Sequence, residues 1–218
     1  MPERFDLRAA TPRLPGLLIG LVLFGIGIGL MVEADLGLAP WEALHQGIAD
    51  QLGLQIGTVS ILLGIPILAL WWPLGEQPGI GTVLNVVLIG VATNITIDVI
   101  PTAGSVPIQL TMMFGGVVVI GLGSATYLSA DLGAGPRDGL MTGLHHRFGW
   151  SIRRARTAIE LSVLVLGWAL GGTIGLGTVV FALGIGPIVQ SFLRLVDRED
   201  RVGRQRRARL EADGVLGE

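Results

Sequence analysis

The sequence predicts an all-α, polytopic membrane protein of about six transmembrane helices, arranged as two inverted three-helix repeats. Three observations predict it. Half of the 218 residues are hydrophobic and only 15% are charged, which lies outside the range of water-soluble domains. Most charges lie before Arg13, between Asp131 and Arg156, or after Arg194, leaving long apolar stretches between them. Finally, the sequence repeats itself at an offset of 96 residues without a gap.

The apolar stretches place spans near 15–33, 56–73, 80–100, 108–129, 155–172 and 177–194, each near the roughly 20 residues a helix needs to cross a bilayer. The first is read as a retained helix and not a signal peptide. Arg4, Arg8 and Arg13 precede an apolar run that ends at Glu33 and Asp35 with no small-residue cleavage pattern. The chain then divides into a cytoplasmic N-terminal segment (1–14), a first membrane repeat (15–107), a second (108–195) and an arginine-rich cytoplasmic tail (196–218).

Between the first two spans of each half the motif Asp-Leu-Gly is followed by proline, at Asp35 to Pro40 and at Asp131 to Pro136. Proline after a glycine-containing turn starts helices. The segments that follow, 40–52 and 136–148, are about 20 Å of helix, too short to span. Their apolar residues recur at helical spacing, as Leu44, Ile48 and Leu52 and as Leu140, Leu144 and Phe148. Each is therefore a short amphipathic half-helix, lying on the interface or dipping inward as a re-entrant element.

The offset aligns Ala34-Asp35-Leu36-Gly37 with Ala130-Asp131-Leu132-Gly133, Pro40 with Pro136, Trp72 with Trp168 and Gly81-Thr82-Val83 with Gly177-Thr178-Val179. With three spans per half, the second half must enter the membrane from the opposite side to the first. Charge agrees: the loop after the first span carries Glu33, Asp35, Glu42 and Asp50, whereas its counterpart carries Arg137, Arg147, Arg153, Arg154 and Arg156. By the positive-inside rule the first loop faces outside and the second, with both termini, faces the cytoplasm.

Composition also excludes chemistry. There is no cysteine, and all 15 basic residues are arginine. Disulfides, thiolate metal sites, Schiff-base lysines and a Walker-type phosphate loop are therefore absent. His45, His145 and His146 lack zinc-site spacing. No nucleophile and base can be assembled, so the chain is not expected to be an enzyme, and no cofactor is expected.

Candidate substrate-binding residues are those of the paired motifs: Asp35, Pro40, Trp41, Glu42, Asp131, Pro136, Arg137 and Asp138. Free N–H groups and the positive dipole end of a half-helix suit a polar solute. Two further candidates lie within spans, where ionisable and polar groups are costly. Glu160 either binds a cation or proton, or pairs with Arg153, Arg154 or Arg156. Asn94, four residues from Asp98, either lines a pathway or bonds helix to helix. Trp71, Trp72, Trp150 and Trp168 read mainly as interfacial anchors, and Gly25-x-x-x-Gly29 reads as a close-packing face.

The segments Ala34-Asp-Leu-Gly-Leu-Ala-Pro-Trp-Glu-Ala-Leu44, Pro78-Gly-Ile-Gly-Thr82 and Leu132-Gly-Ala-Gly-Pro-Arg-Asp-Gly-Leu-Met141 resemble the YczE/YyaS/YitT-like family of bacterial integral membrane proteins. The resemblance covers about 15–195, with Glu42 where the family's motif usually has aspartate. It implies a bacterial inner-membrane location and supplies no catalytic residues.

The leading expectation is a small-solute transporter with its pathway between the halves. The alternative is a non-transport scaffold or accessory protein that assembles or anchors a partner. A polar cavity reaching the middle of the bilayer separates the two, because only transport requires it. The expected partners are the lipid bilayer, a small-molecule or ion substrate and a second copy in a homo-oligomer, and not nucleic acid.

Overall fold

A computed structural model describes residues 11–197. The N-terminal arginines Arg4 and Arg8 and the tail beyond Asp197 lie outside the described residues. After a short 3-10 turn, Thr11–Arg13, come eight α-helices and, among the described residues, no strand. They are α1 (Leu14–Ala34), α2 (Pro40–Leu52), α3 (Ile56–Leu74), α4 (Ile80–Val99), α5 (Val106–Ala130), α6 (Pro136–Phe148), α7 (Ile152–Ala169) and α8 (Leu176–Val196).

Five of them, α1, α3, α4, α5 and α8, are long and apolar enough to cross a membrane. The expected sixth span, α7, does not meet that standard. Arg153, Arg154, Arg156 and Glu160 fall in its first half, and each charge costs several kcal/mol, roughly 2.5–3.5 by insertion scales, at the centre of a bilayer.

The centre of the molecule is the crossing of α1 and α5, which run antiparallel. Gly20 lies against Gly123 and Tyr127, whereas Gly27, two turns on, lies against Gly116 and Ile120. Without a Cβ the two backbones approach until side-chain contact becomes backbone contact, the main source of helix attraction where lipid removes the hydrophobic drive. Around that crossing Leu17, Leu21, Ile28, Val117 and Ile120 form the buried core.

Helix α4 lies parallel to α1, with Gly25 against Ile89 and Ala92 and Gly29 against Thr96. In the same way α8 packs along α5, with Gly121 against Ile188. The Gly25-x-x-x-Gly29 face is thus used as the sequence suggests.

Local geometry recurs at the 96-residue offset. Both α1 and α5 end on an aspartate in the left-handed conformation, Asp35 at φ 52° and Asp131 at φ 54°, one of the few non-glycine residues that tolerates it. Each turn is then clamped by the other half. Gly177 N donates to Leu36 O at 2.7 Å and Gly81 N donates to Leu132 O at 2.8 Å. Thr178 Oγ1 donates to Leu38 O at 2.7 Å, and its counterpart Thr82 Oγ1 donates to Ala134 O at 2.8 Å.

The half-helices are exchanged likewise: α2 packs on α7, and α6 on α3. Gly139 accommodates the ring of Trp71, whose indole N–H donates to Pro136 O at 3.0 Å. Trp71 is therefore a core residue, 1% exposed, and not the interfacial anchor its place near a span end suggested. Trp72 and Trp168, at 88% and 67% exposure, do stand outside.

Candidate functional site

Each half-helix starts inside the molecule and runs outward. Five residues of non-helical chain, 35–39 and 131–135, carry the backbone inward from the ends of α1 and α5, and Pro40 and Pro136 then begin α2 and α6 with a residue that has no N–H to satisfy. Trp41, Glu42, Ala43, Leu44 and His45 are all buried, while Gln51 and Leu52 at the far end are exposed. In α6, Pro136, Gly139, Met141 and Gly143 are buried while His146, Arg147 and Phe148 at the far end are exposed, so both segments enter the helical bundle at their starts.

The two starts meet. Arg137 Nη2 donates to Glu42 Oε1 at 2.8 Å, and the Arg137 guanidinium lies 5.0 Å from the centre of the Trp41 ring. Trp41 and Arg137 occupy equivalent positions in the two copies of the motif, as do Glu42 and Asp138. One residue type at each pair would have placed like against like, whereas the divergence of Trp41 and Arg137 provides a cation–π contact and an ion pair instead.

Around this junction lies a cavity of about 370 Å³, within the range of small-molecule sites. Pro40, Trp41, Glu42, Pro136, Arg137, Asp138 and Glu160 all line it. Phe24 and Ile120, at mid-length of α1 and α5, contribute apolar wall. At Gly135 three polar groups converge: a Cβ placed there would lie 3.1 Å from Asp138 Oδ2, 3.6 Å from the Tyr127 hydroxyl and 3.8 Å from Asn85 Nδ2. Among the described residues the buried indole N–H of Trp41 has no hydrogen-bond partner, an unmet donor beside the Arg137–Glu42 pair.

Electrostatics follow from burial. Burial works to raise the Glu42 carboxyl, but the charge and hydrogen bond of Arg137 hold it below its ordinary value. His45 is 3% exposed and tilted against Trp41 at 6.4 Å. Burial, joined by the Arg137 charge and opposed by Glu42, takes its imidazole down to about 3. It is therefore a neutral donor and acceptor at physiological pH.

Three candidates stand elsewhere. Asp35 and Asp131 cap α1 and α5 outside the cavity lining. Asn94 accepts from Gly57 N at 2.8 Å and donates to Thr58 Oγ1 at 2.9 Å, joining α4 to α3 away from the cavity. Glu160 accepts from Arg156 Nε at 2.8 Å, the arginine pairing that was one of its two expected roles, and it also lines the cavity. Sequence reasoning missed Tyr127, Ser124, Gln190 and the role of His45. Only His45, one helical turn from Trp41 on the same short segment, carried a signal that could have found it.

Comparison with known proteins places these features in context. Residues 11–194 match the model of a family of unknown function, DUF6198. An uncharacterised protein of Haemophilus influenzae is 43% identical over 84% of each chain. The uncharacterised membrane protein YczE of Bacillus subtilis is 36% identical over 78% of this chain and 80% of its own. The uncharacterised protein YyaS of the same organism is 27% identical over 83% and 92% respectively. No solved structure matches the chain.

Proposed function

The chain belongs to DUF6198, the YczE- and YyaS-like family of membrane proteins, and we propose that it is a small-solute permease whose substrate binds where the two half-helices meet. The observation that carries this reading is the cavity: polar and charged groups surround a space at mid-length of α1 and α5. A scaffold has no use for such a space in hydrocarbon, where every polar group is costly.

The architecture is read as two inverted repeats, supported by the antiparallel crossing of the equivalent helices α1 and α5 and by the reciprocal clamps of Thr82 and Thr178. In this reading α7 completes a sixth span, its arginines at the cytoplasmic end beside Arg13, Arg147 and Arg194. Both termini are cytoplasmic, in a bacterial inner membrane. Arg137, Glu42, Trp41, Asp138 and Glu160 bind or gate the solute, with the N-terminal N–H groups of α2 and α6 as further donors.

The test is a thermal-shift screen of the purified protein in detergent against metabolites and ions, followed by flux measurements in liposomes for each hit. A bound solute raises apparent stability by about 2.7 kcal/mol at one hundred times its Kd. Arg137→Ala is expected to abolish the shift and the flux while leaving membrane insertion intact. Hits that survive Arg137→Ala, or the absence of flux for every hit, would sink the reading.

A further inference from the structure

The two halves differ sharply at one seam. Helices α3 and α4 pack along one another, but among the described residues their counterparts α7 and α8 make next to no contact. The glycines show it residue by residue. A Cβ at Gly90 would lie 2.5 Å from Gly57 O and from Ile61 Cγ1, yet its counterpart Gly186 has nothing within 4 Å. Asn94 is bonded to Gly57 and Thr58 across its seam, whereas Gln190, the equivalent residue, is exposed and lines the cavity.

The sequence explains the difference. Where α3 has Gly57, Ser60 and Gly64, α7 has Arg153, Arg156 and Glu160. A Cβ at Gly57 would run into the backbone carbonyl of Gly90, so a helix carrying arginine there cannot close the same way. Spacing of three and four puts these side chains on one face of α7. A charged face held in an apolar bundle needs water beside it.

We propose that this seam is the solute's way in: a hydrated entrance between α7 and α8, lined by Arg156, Glu160 and Gln190, leads from the arginine-bearing end to the cavity, while the α3–α4 seam stays shut. The inference rests on the permease reading for its solute but not for its geometry. An ion-paired, hydrogen-bonding entrance admits small polar solutes, charged or neutral, and turns away apolar ones.

The chain contains no cysteine, so introduced thiols report alone. In permeabilised membrane vesicles, Gln190→Cys should react with a small charged methanethiosulfonate at least tenfold faster than Asn94→Cys. Ser124→Cys, inside the cavity, should also react. Adding Gly186→Trp, which fills the seam, should slow the Ser124→Cys reaction at least tenfold. Gly115→Trp, at a glycine with equally open surroundings outside the cavity lining, should not. Equal reactivity of positions 94 and 190, or an unaltered Ser124→Cys rate with Gly186→Trp, overturns the proposal. Labelling reads access and not transport: a reactive seam in a protein that binds no solute defeats permeation alone, and a solute bound behind an unreactive seam defeats the entrance alone.

Discussion

Glu42 and Arg137 form an ion pair with a buried carboxylate and a partly exposed guanidinium, whose removal by halves and whole should differ. Taking away one partner leaves a charge without compensation, which costs about 3–5 kcal/mol in a buried setting; the 29% exposure of Arg137 lowers that. Arg137→Gln and Glu42→Gln should each lower the unfolding temperature in detergent, and the double variant Glu42→Gln/Arg137→Gln should lose less than the sum of the two. Strict additivity would mean the pair does not couple. His45 predicts a pH dependence. With its folded value lowered to about 3, the unfolded chain takes up a proton below about pH 6.5 that the folded chain refuses. Stability should therefore fall as pH drops from about 6.5 to about 5.5, above the ordinary glutamate value, and His45→Gln should flatten that slope. An unchanged slope would place the titration elsewhere. The motif residues Trp41, Glu42, Arg137 and Asp138 were legible as candidates from their place in the repeated Asp-Leu-Gly and proline motif, even where the pair Trp41 and Arg137 has diverged. Asp35 and Asp131 repeat for another reason: they cap α1 and α5 in the left-handed conformation, which sequence pattern does not separate from ligand binding.

At the scale of the element, glycines divide by what lies opposite them. Gly27→Ala would put a Cβ 2.8 Å from Gly116 O in the α1–α5 crossing, and overpacking of this kind costs about 1–3 kcal/mol. Gly16 and Gly115, with nothing within 4 Å, should tolerate alanine or gain about 0.5–1 kcal/mol from reduced backbone freedom. Thermal unfolding of Gly27→Ala, Gly16→Ala and Gly115→Ala side by side tests the division; equal losses at all three would refute it. The reciprocal clamps make a second prediction. Thr82→Val and Thr178→Val each remove the same two hydrogen bonds, the donation to Ala134 O or Leu38 O and the acceptance from Gly79 N or Gly175 N, each bond worth about 0.6–2 kcal/mol in membrane proteins, so the two losses should agree. Element boundaries were close to those read from hydropathy, since lipid forces helices and sets their length. The short segments were visible as helices too, but whether they lay on the surface or entered the bundle was not, because the amphipathic spacing of Leu44, Ile48 and Leu52 suits either.

For the whole molecule, the proposed inverted architecture predicts that the ends of α2 and α6 face opposite sides. A membrane-impermeant thiol reagent applied to intact cells should reach Gly53→Cys, next to the acidic end, and fail to reach Gly149→Cys until the membrane is opened. Reaction of both from outside would refute the opposed insertion. The sequence by itself determined the helical class, the positions of the helices and the equivalence of residues 96 apart, because hydrophobicity, proline, glycine and charge act locally and were duplicated together. Only the tertiary structure decided that α2 and α6 enter the bundle and meet, that Glu42 pairs with Arg137, and that one seam is packed while its counterpart stands open. Those outcomes depend on which surfaces approach within a few ångströms across halves distant in sequence: a glycine opposite a carbonyl at Gly57 and Gly90, an arginine in the matching place at Arg153.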